Sequence, residues 1–205
     1  MATKWQMETK SAKAGEGKQC VTPYGRVIFA ELIEPRSYKN SEPKFSVVVA
    51  FDDQVDLAPM KAVADRVRRE KHGSNIPRNQ QTPFRRPDES TDSHLSASTV
   101  WMRFGAWPDS RPAMLAPDKS EIVDPAEIYP GCYVRCVVKA RAYDTGYTFD
   151  LQVVQKLSDG EPIKSSGNAG AENMLDAVST DGMTGSPKIS KSASYDEADG
   201  ADLFD

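Results

Sequence analysis

Five stretches of this chain carry strand signals, and one carries apolar residues at helical spacing. The first strand signal begins at Cys20, continues through Tyr24 to Ile33 and stops at Glu34-Pro35. In the second, Lys44 to Phe51, residues Phe45, Val47, Val49 and Phe51 form one face and Lys44, Ser46, Val48 and Ala50 the other. In the third, Thr99 to Trp107, Val100, Met102, Phe104 and Ala106 oppose Trp101, Arg103 and Trp107. The fourth lies in Tyr129 to Tyr143, where Val134, Cys136, Val138, Ala140 and Ala142 alternate with Tyr133, Arg135, Val137, Lys139, Arg141 and Tyr143. Asp144-Thr-Gly146 then turns the chain into a fifth strand whose inward set is Tyr147, Phe149, Leu151 and Val153, and the two read as a β-hairpin. Helical spacing appears once: Leu57, Met60, Val63, Ala64 and Val67 follow a capping Asp56, with Pro59 in the first turn and Gly73 as the stop.

Five strands, one helix and long loops predict a mainly β fold, an OB-fold-like five-stranded barrel, since closure removes the exposed strand edges. Around it the chain divides into a loosely attached polar arm (1–19), the barrel domain (20–162), a flexible linker (163–191) and an acidic tail (192–205). The linker is rich in Gly, Ser, Asn and Asp, a composition that buries little. Residues 74–96 lack periodicity, contain Pro77, Pro83 and Pro87, and read as a long basic loop with Arg78, Arg85 and Arg86.

Successive strand side chains point to opposite faces, so the fourth strand has a small apolar face and a face of tyrosines and cations without an acid. Cations meet phosphates and rings stack on bases, so this pattern fits a single strand of nucleic acid. The plain alternative is a solvated face that happens to be basic. The Trp101–Arg103 face repeats the combination, although burial is what tryptophan ordinarily prefers. On this reading Trp101, Tyr133 and Tyr143 stack on bases while Lys44, Arg103, Arg135, Lys139 and Arg141 hold phosphates. The cations Arg66, Arg68, Arg69 and Lys71 at the helix end are accounted for by the helix dipole.

Charge modifies this picture. The chain carries 26 Lys and Arg against 30 Asp and Glu, a net −4. Five of the acids, Asp196, Glu197, Asp199, Asp202 and Asp205, fall in the last fourteen residues, which hold no base. A near-neutral body therefore carries an acidic tail. Acidic ends commonly serve solubility alone, but Leu203 and Phe204 among these acids fit a docking peptide with apolar anchors. A basic groove and a tethered acidic segment imply competition between tail and DNA. There is no apolar run of membrane-spanning length and no signal-peptide core. Three cysteines (Cys20, Cys132, Cys136) do not make a disulfide scaffold, so a reduced, intracellular protein is expected.

Several segments in order resemble one family: Gly25 to Val27, Glu42 to Phe45, Ile128 to Arg135 and Val153 to Glu161, with a phenylalanine near an acidic end. Together these are similar to phage single-stranded DNA-binding proteins, the group that includes the T-seven-type replication protein. The resemblance implies an OB-fold protein of the infected bacterial cytoplasm that coats single strands in replication, recombination and repair. It also implies strand annealing, homodimers, and a tail that contacts the replicative DNA polymerase and helicase-primase. Asp205 follows Phe204, whereas many such tails finish on the phenylalanine.

Other chemistries find less support. Cys132 and Cys136 in one strand stand about 13 Å apart, and no short Cys-x-x-Cys pair exists, so no metal is expected. Asp118, Glu121, Asp124 and Glu127 are the candidate carboxylates of a metal-dependent nuclease, but they lie in a proline-rich connection without nuclease spacing. No phosphate-cradling glycine motif or nucleophile elbow is present, so neither catalysis nor a cofactor is expected. A protein-binding module without nucleic-acid contact is the remaining alternative.

Overall fold

The computed structural model describes residues 3–37, 41–87 and 99–163. The linker beyond residue 163 and the whole tail, including Asp196 to Asp205, lie outside the described residues. In chain order the elements are α1 (Lys4–Glu8), β1 (Lys13–Ala14), β2 (Gln19–Val21), β3 (Gly25–Arg36), β4 (Lys44–Phe51) and α2 (Ala58–His72). There follow β5 (Val100–Ala106), β6 (Ala113–Leu115), a 3-10 turn (Pro125–Glu127), β7 (Tyr133–Ala142) and β8 (Tyr147–Ser158).

Five strands close on themselves in the order β3, β4, β5, β8, β7 and back to β3. This is the expected OB-like barrel. All its neighbours are antiparallel except β5 and β8, which run parallel and meet at the single pair Gly105 and Asp150. A parallel pair needs a crossover, here the path from β5 through β6 and β7. Two outer additions extend the sheet: β1 and β2 along β7, and β6 along β8.

The alternation read from the sequence is the alternation that is buried. Phe45, Val47, Val49 and Phe51 of β4, Met102 and Phe104 of β5, and Val134, Cys136, Val138 and Ala140 of β7 all face the core. Phe104 lies edge-on to Phe51 at 6.4 Å and to Phe149 at 6.5 Å, which joins β4, β5 and β8 through one line of rings. Helix α2 covers the barrel with Met60, Val63, Ala64 and Val67, each burial contributing about 1.5–3 kcal/mol for the larger side chains. Asp56 accepts from the Ala58 amide at 2.9 Å, and the Gly73 amide closes the helix on the Arg69 carbonyl at 2.8 Å.

Four expectations change. The first strand is two, β2 and β3, because Pro23 cannot donate to a ladder. Val153 is not inward: a bulge opposite Val137 and Val138 shifts the register, so Val154 is fully buried in its place. Among the described residues there are two α-helices rather than one, and residues 3–19 are not a loosely attached arm. Thr9 accepts from the Tyr24 amide, Lys10 and Ala12 exchange backbone bonds with Asp56, and Ala12 is buried. Trp5 of α1 packs on Tyr24 and Tyr133. Polar composition conceals this because the anchors are one ring and backbone groups.

The barrel closes where β3 meets β7 through two residue pairs, Gly25 with Val134 and Arg26 with Tyr133. A Cβ on Gly25 would sit 2.8 Å from the Ala50 carbonyl oxygen and against Val49. Gly25→Ala should therefore lower stability by about 1–3 kcal/mol, and Phe104→Ala by about 3–5 kcal/mol, both read as shifts in the urea midpoint at unchanged slope. Burial pushes the Cys20 thiol up to about 12 and raises those of Cys132 and Cys136 as well. All three thiols should resist a chromogenic disulfide reagent at pH 8 in the native protein and react after denaturation.

Candidate nucleic-acid interface

The outward face of β4 and β5 pairs small residues with large ones. Ala50 stands opposite Trp101, Val48 opposite Arg103, and Ser46 opposite Gly105. The cross-strand neighbours of Trp101 and Arg103 are therefore short; Val48 and Ala50 are themselves buried, Trp101 is half-buried and Arg103 is exposed. Lys44, at the start of β4, places its Nζ 3.7 Å from the centroid of the Trp107 ring. At the other end of β5 the Arg85 guanidinium lies 5.3 Å from the Trp101 ring. Arg85 is held there by its backbone, which exchanges bonds of 3.0 and 2.8 Å with Trp101. The indole N–H of Trp101 is buried and has no acceptor among the described residues. Two indoles, each with a cation at its face, thus flank Arg103 along one strand.

Residues 81–85 matter to this arrangement because β5 and β8 diverge beyond their one shared pair. Gln81 pairs with Gly146, Arg85 with Trp101, and Phe84 packs edge-on to Phe149 at 5.9 Å. The segment fills the open seam and connects the Trp101 end of β5 with the β7–β8 turn. In sequence it reads only as a loop with breakers; its one apolar residue between Pro83 and Arg85 is the signal that it packs.

The β7 face divides into two parts. At its start, Tyr133 lies 5.5 Å from the Trp5 ring at an angle of 54°. Arg135 donates to the Gln155 side chain at 2.7 Å, and Gln155 in turn donates to the carbonyls of Ala116 and Pro117. At its end, Lys139 is exposed, Arg141 pairs with Asp150 at 2.8 Å, and Tyr143 is 39 % exposed. The Tyr143 carbonyl lies 3.1 Å from His72 Nε2, which also meets Gln80 at 2.9 Å, tying the turn to the end of α2.

Strand β8 runs between β7 and β5. The structure therefore brings Lys44, Trp101 and Arg103 together on the β4–β5 face, and Tyr133, Arg135, Lys139 and Arg141 on β7, with Tyr143 in the turn just after it. It does not place the two sets on neighbouring strands. Sequence reasoning misses Trp5, and also Lys18 and Lys71, which stand beside Lys139 and Arg141. The helix dipole suffices to explain Arg68 in the sequence, yet its guanidinium lies 5.1 Å from the Tyr147 ring. These neighbours depend on how α1, α2 and β2 dock on the barrel, for which the local sequence has no period.

The nuclease candidates serve turns. Asp118 accepts from the Ser120 hydroxyl and amide, which holds its carboxyl below the usual carboxylate range. Asp124 caps the 3-10 turn through the Ala126 amide at 2.9 Å. Among the described residues no three His, Cys, Asp or Glu groups are placed to hold a metal, and no helix is long and apolar enough to cross a membrane.

Solved structures of phage proteins resemble this one. The single-stranded DNA-binding protein of bacteriophage Enc34, in complex with single-stranded DNA, superposes with a TM-score of 0.57 at 19 % identity, over 74 % of this chain and 97 % of that one. A structure of the same phage protein described without DNA superposes at 0.56 and 18 % identity, over 80 % and 98 %. For gp2.5, a single-stranded DNA-binding protein encoded by bacteriophage T7, the values are 0.49 and 12 %, over 74 % and 100 %. No curated protein sequence matches the chain. At such identities the two Enc34 structures establish a shared fold. The sequence itself matches the family model of the Enterobacter phage Enc34 single-stranded DNA-binding protein over residues 18–184, and with most of its length covered the chain belongs to that family.

Proposed function

We propose that this protein binds single-stranded DNA, without catalysis, through the outward face of β4 and β5. The observation that carries the reading is the row of Trp107 with Lys44, Arg103, and Trp101 with Arg85 along one strand pair. Bases stack on the indoles because every base has a π face, and the cations beside the rings meet the phosphates between them. The location agrees with how OB-type barrels engage oligonucleotides, on the face of their second and third strands and the loops beside it. In this barrel those strands are β4 and β5, and the turn of residues 143–146 is the adjoining fourth-to-fifth-strand loop.

Tyr133 and Arg135 belong to the same proposal as lesser partners of the DNA, since each is already engaged within the fold. The family membership and the tail composition support a role in phage DNA replication, recombination and repair within the host cytoplasm. In that role Asp196, Glu197, Asp199, Asp202, Leu203, Phe204 and Asp205 compete with DNA for the basic surface and recruit replication proteins, a DNA polymerase and a helicase-primase among them. Annealing of complementary strands and homodimer formation belong to the same proposal.

Titrating oligo-dT and a duplex of equal length while following tryptophan emission tests the central reading. Strong quenching by the single strand alone is expected; equal binding of both forms, abolished by salt, would mean phosphate binding without base stacking. Trp101→Ala should weaken oligo-dT binding by about 1–3 kcal/mol, and Lys44→Ala should lower the salt slope by about 0.7. Removing residues 192–205 should raise affinity at low salt, and an unchanged value would remove the tail from the competition.

A further inference from the structure

Beyond the β7–β8 turn from Trp101 lies an open crevice of about 490 Å³ between α2, the approach to β2 and the end of β7. Val67, Ala140 and Ala142 border it, the first two of them buried in the core. Its rim carries four cations, Lys18, Lys71, Lys139 and Arg141, against two acids, Glu70 and Asp150. The acids are spoken for, Glu70 by Lys18 at 3.1 Å and Asp150 by Arg141 at 2.8 Å. Lys71 reaches outward to Asp144 at 3.0 Å, an exposed carboxylate outside the crevice, and among the described residues Lys139 has no ion pair. Three of the four cations are thus paired, and Lys139 is left as one uncompensated positive charge on the rim. An unpaired lysine with a second lysine beside it suits a phosphate, and the volume is that of a small-ligand site.

The crevice also adjoins the surface proposed for DNA. Arg85 and Trp101 are bonded to each other, Gln81 of the same segment pairs with Gly146, and Tyr143 of the turn and Arg141 of β7 follow. Arg68 over Tyr147 continues the series of ring and cation between the two places. We infer that the crevice is a second anchor for the same DNA strand, which leaves the β4–β5 face over the β7–β8 turn and seats a nucleotide here, its phosphate on Lys139 and Lys71. This rests on the single-strand reading above and lengthens the site it describes. A free nucleotide offers the same phosphate chemistry, so the test separates the two sources.

The experiment uses the full chain and its Lys71→Ala/Lys139→Ala variant, with oligo-dT of about 5 and about 20 nucleotides, lengths that bracket the usual footprint of one such barrel. In the parent the long oligonucleotide should bind with a steeper salt dependence than the short one. In the variant the ratio of long to short affinity should fall several-fold. Its salt slope for the long oligonucleotide should drop by about 0.7 for each phosphate no longer neutralised. Thermal unfolding of the variant at the parent's temperature keeps the comparison clean, and Lys139→Arg should restore the ratio. If the parent binds both lengths and the variant keeps the parental ratio and slope, the crevice is not on the strand's path, while the β4–β5 reading stands. If the parent binds neither length, both readings fall. Thymidine monophosphate is the second probe: amide shifts at Lys139 to Ala142 caused by it and not by the long oligonucleotide would make the crevice a free-nucleotide site and overturn the inference.

Discussion

The packing of Phe104 against Phe51 on one side and Phe149 on the other is what the rest of the barrel depends on. Backbone pairing alone joins β5 to β8 at one residue pair, too little to hold two strands in register. Three rings from β4, β5 and β8, extended by Phe84, supply across that seam the attraction that a ladder supplies elsewhere. Because the rings fix β5 from inside, the residues between them are fixed outside. Trp101 and Arg103 alternate with Met102 and Phe104, so the packing of the core sets the pitch of the outward surface of β5.

The second constraint is economy of height. Ala50, Val48, Ser46 and Gly105 are the short residues around Trp101 and Arg103. Long neighbours would cover the ring or fold over it. With short ones, the ring stays only half-buried. The cations at the rings come from two places, the start of β4 and the 81–85 segment, and β5 itself adds Arg103 between them. A site of this kind needs no buried charge, which would be costly to desolvate, and none of Lys44, Arg85 and Arg103 is buried.

The strands, the helix and the core are largely legible in the sequence, because period two and period 3.6 record which side of an element is buried. Lys44–Phe51 carries its pattern without interruption and forms as read, whereas Val153 misleads because a bulge resets the period opposite Val137 and Val138. The aromatic and cationic composition of β5 and β7 is legible for the same reason. What cannot be read is which faces become neighbours. That is decided by the order of strands round the barrel, where β8 falls between β7 and β5, and by docked pieces such as Trp5 and residues 81–85. Such pairings join residues far apart in the chain, and one sequence holds no local trace of them.

The two-pair junction of Gly25 and Arg26 with Val134 and Tyr133 has a consequence for how the molecule assembles. The partners are separated by more than a hundred residues, so bringing them together costs chain entropy that only the finished core offsets. The hairpins β3–β4 and β7–β8 are pairings of strands close in sequence; the junctions that join them into a closed ring are not. Folding therefore proceeds at the pace of its longest loop, and a chain emerging from the ribosome has no enclosed core until the last strand, β8, is available. Until then β5 presents an open edge and β4 and β5 present exposed phenylalanines, which makes the incomplete chain the form most prone to aggregate.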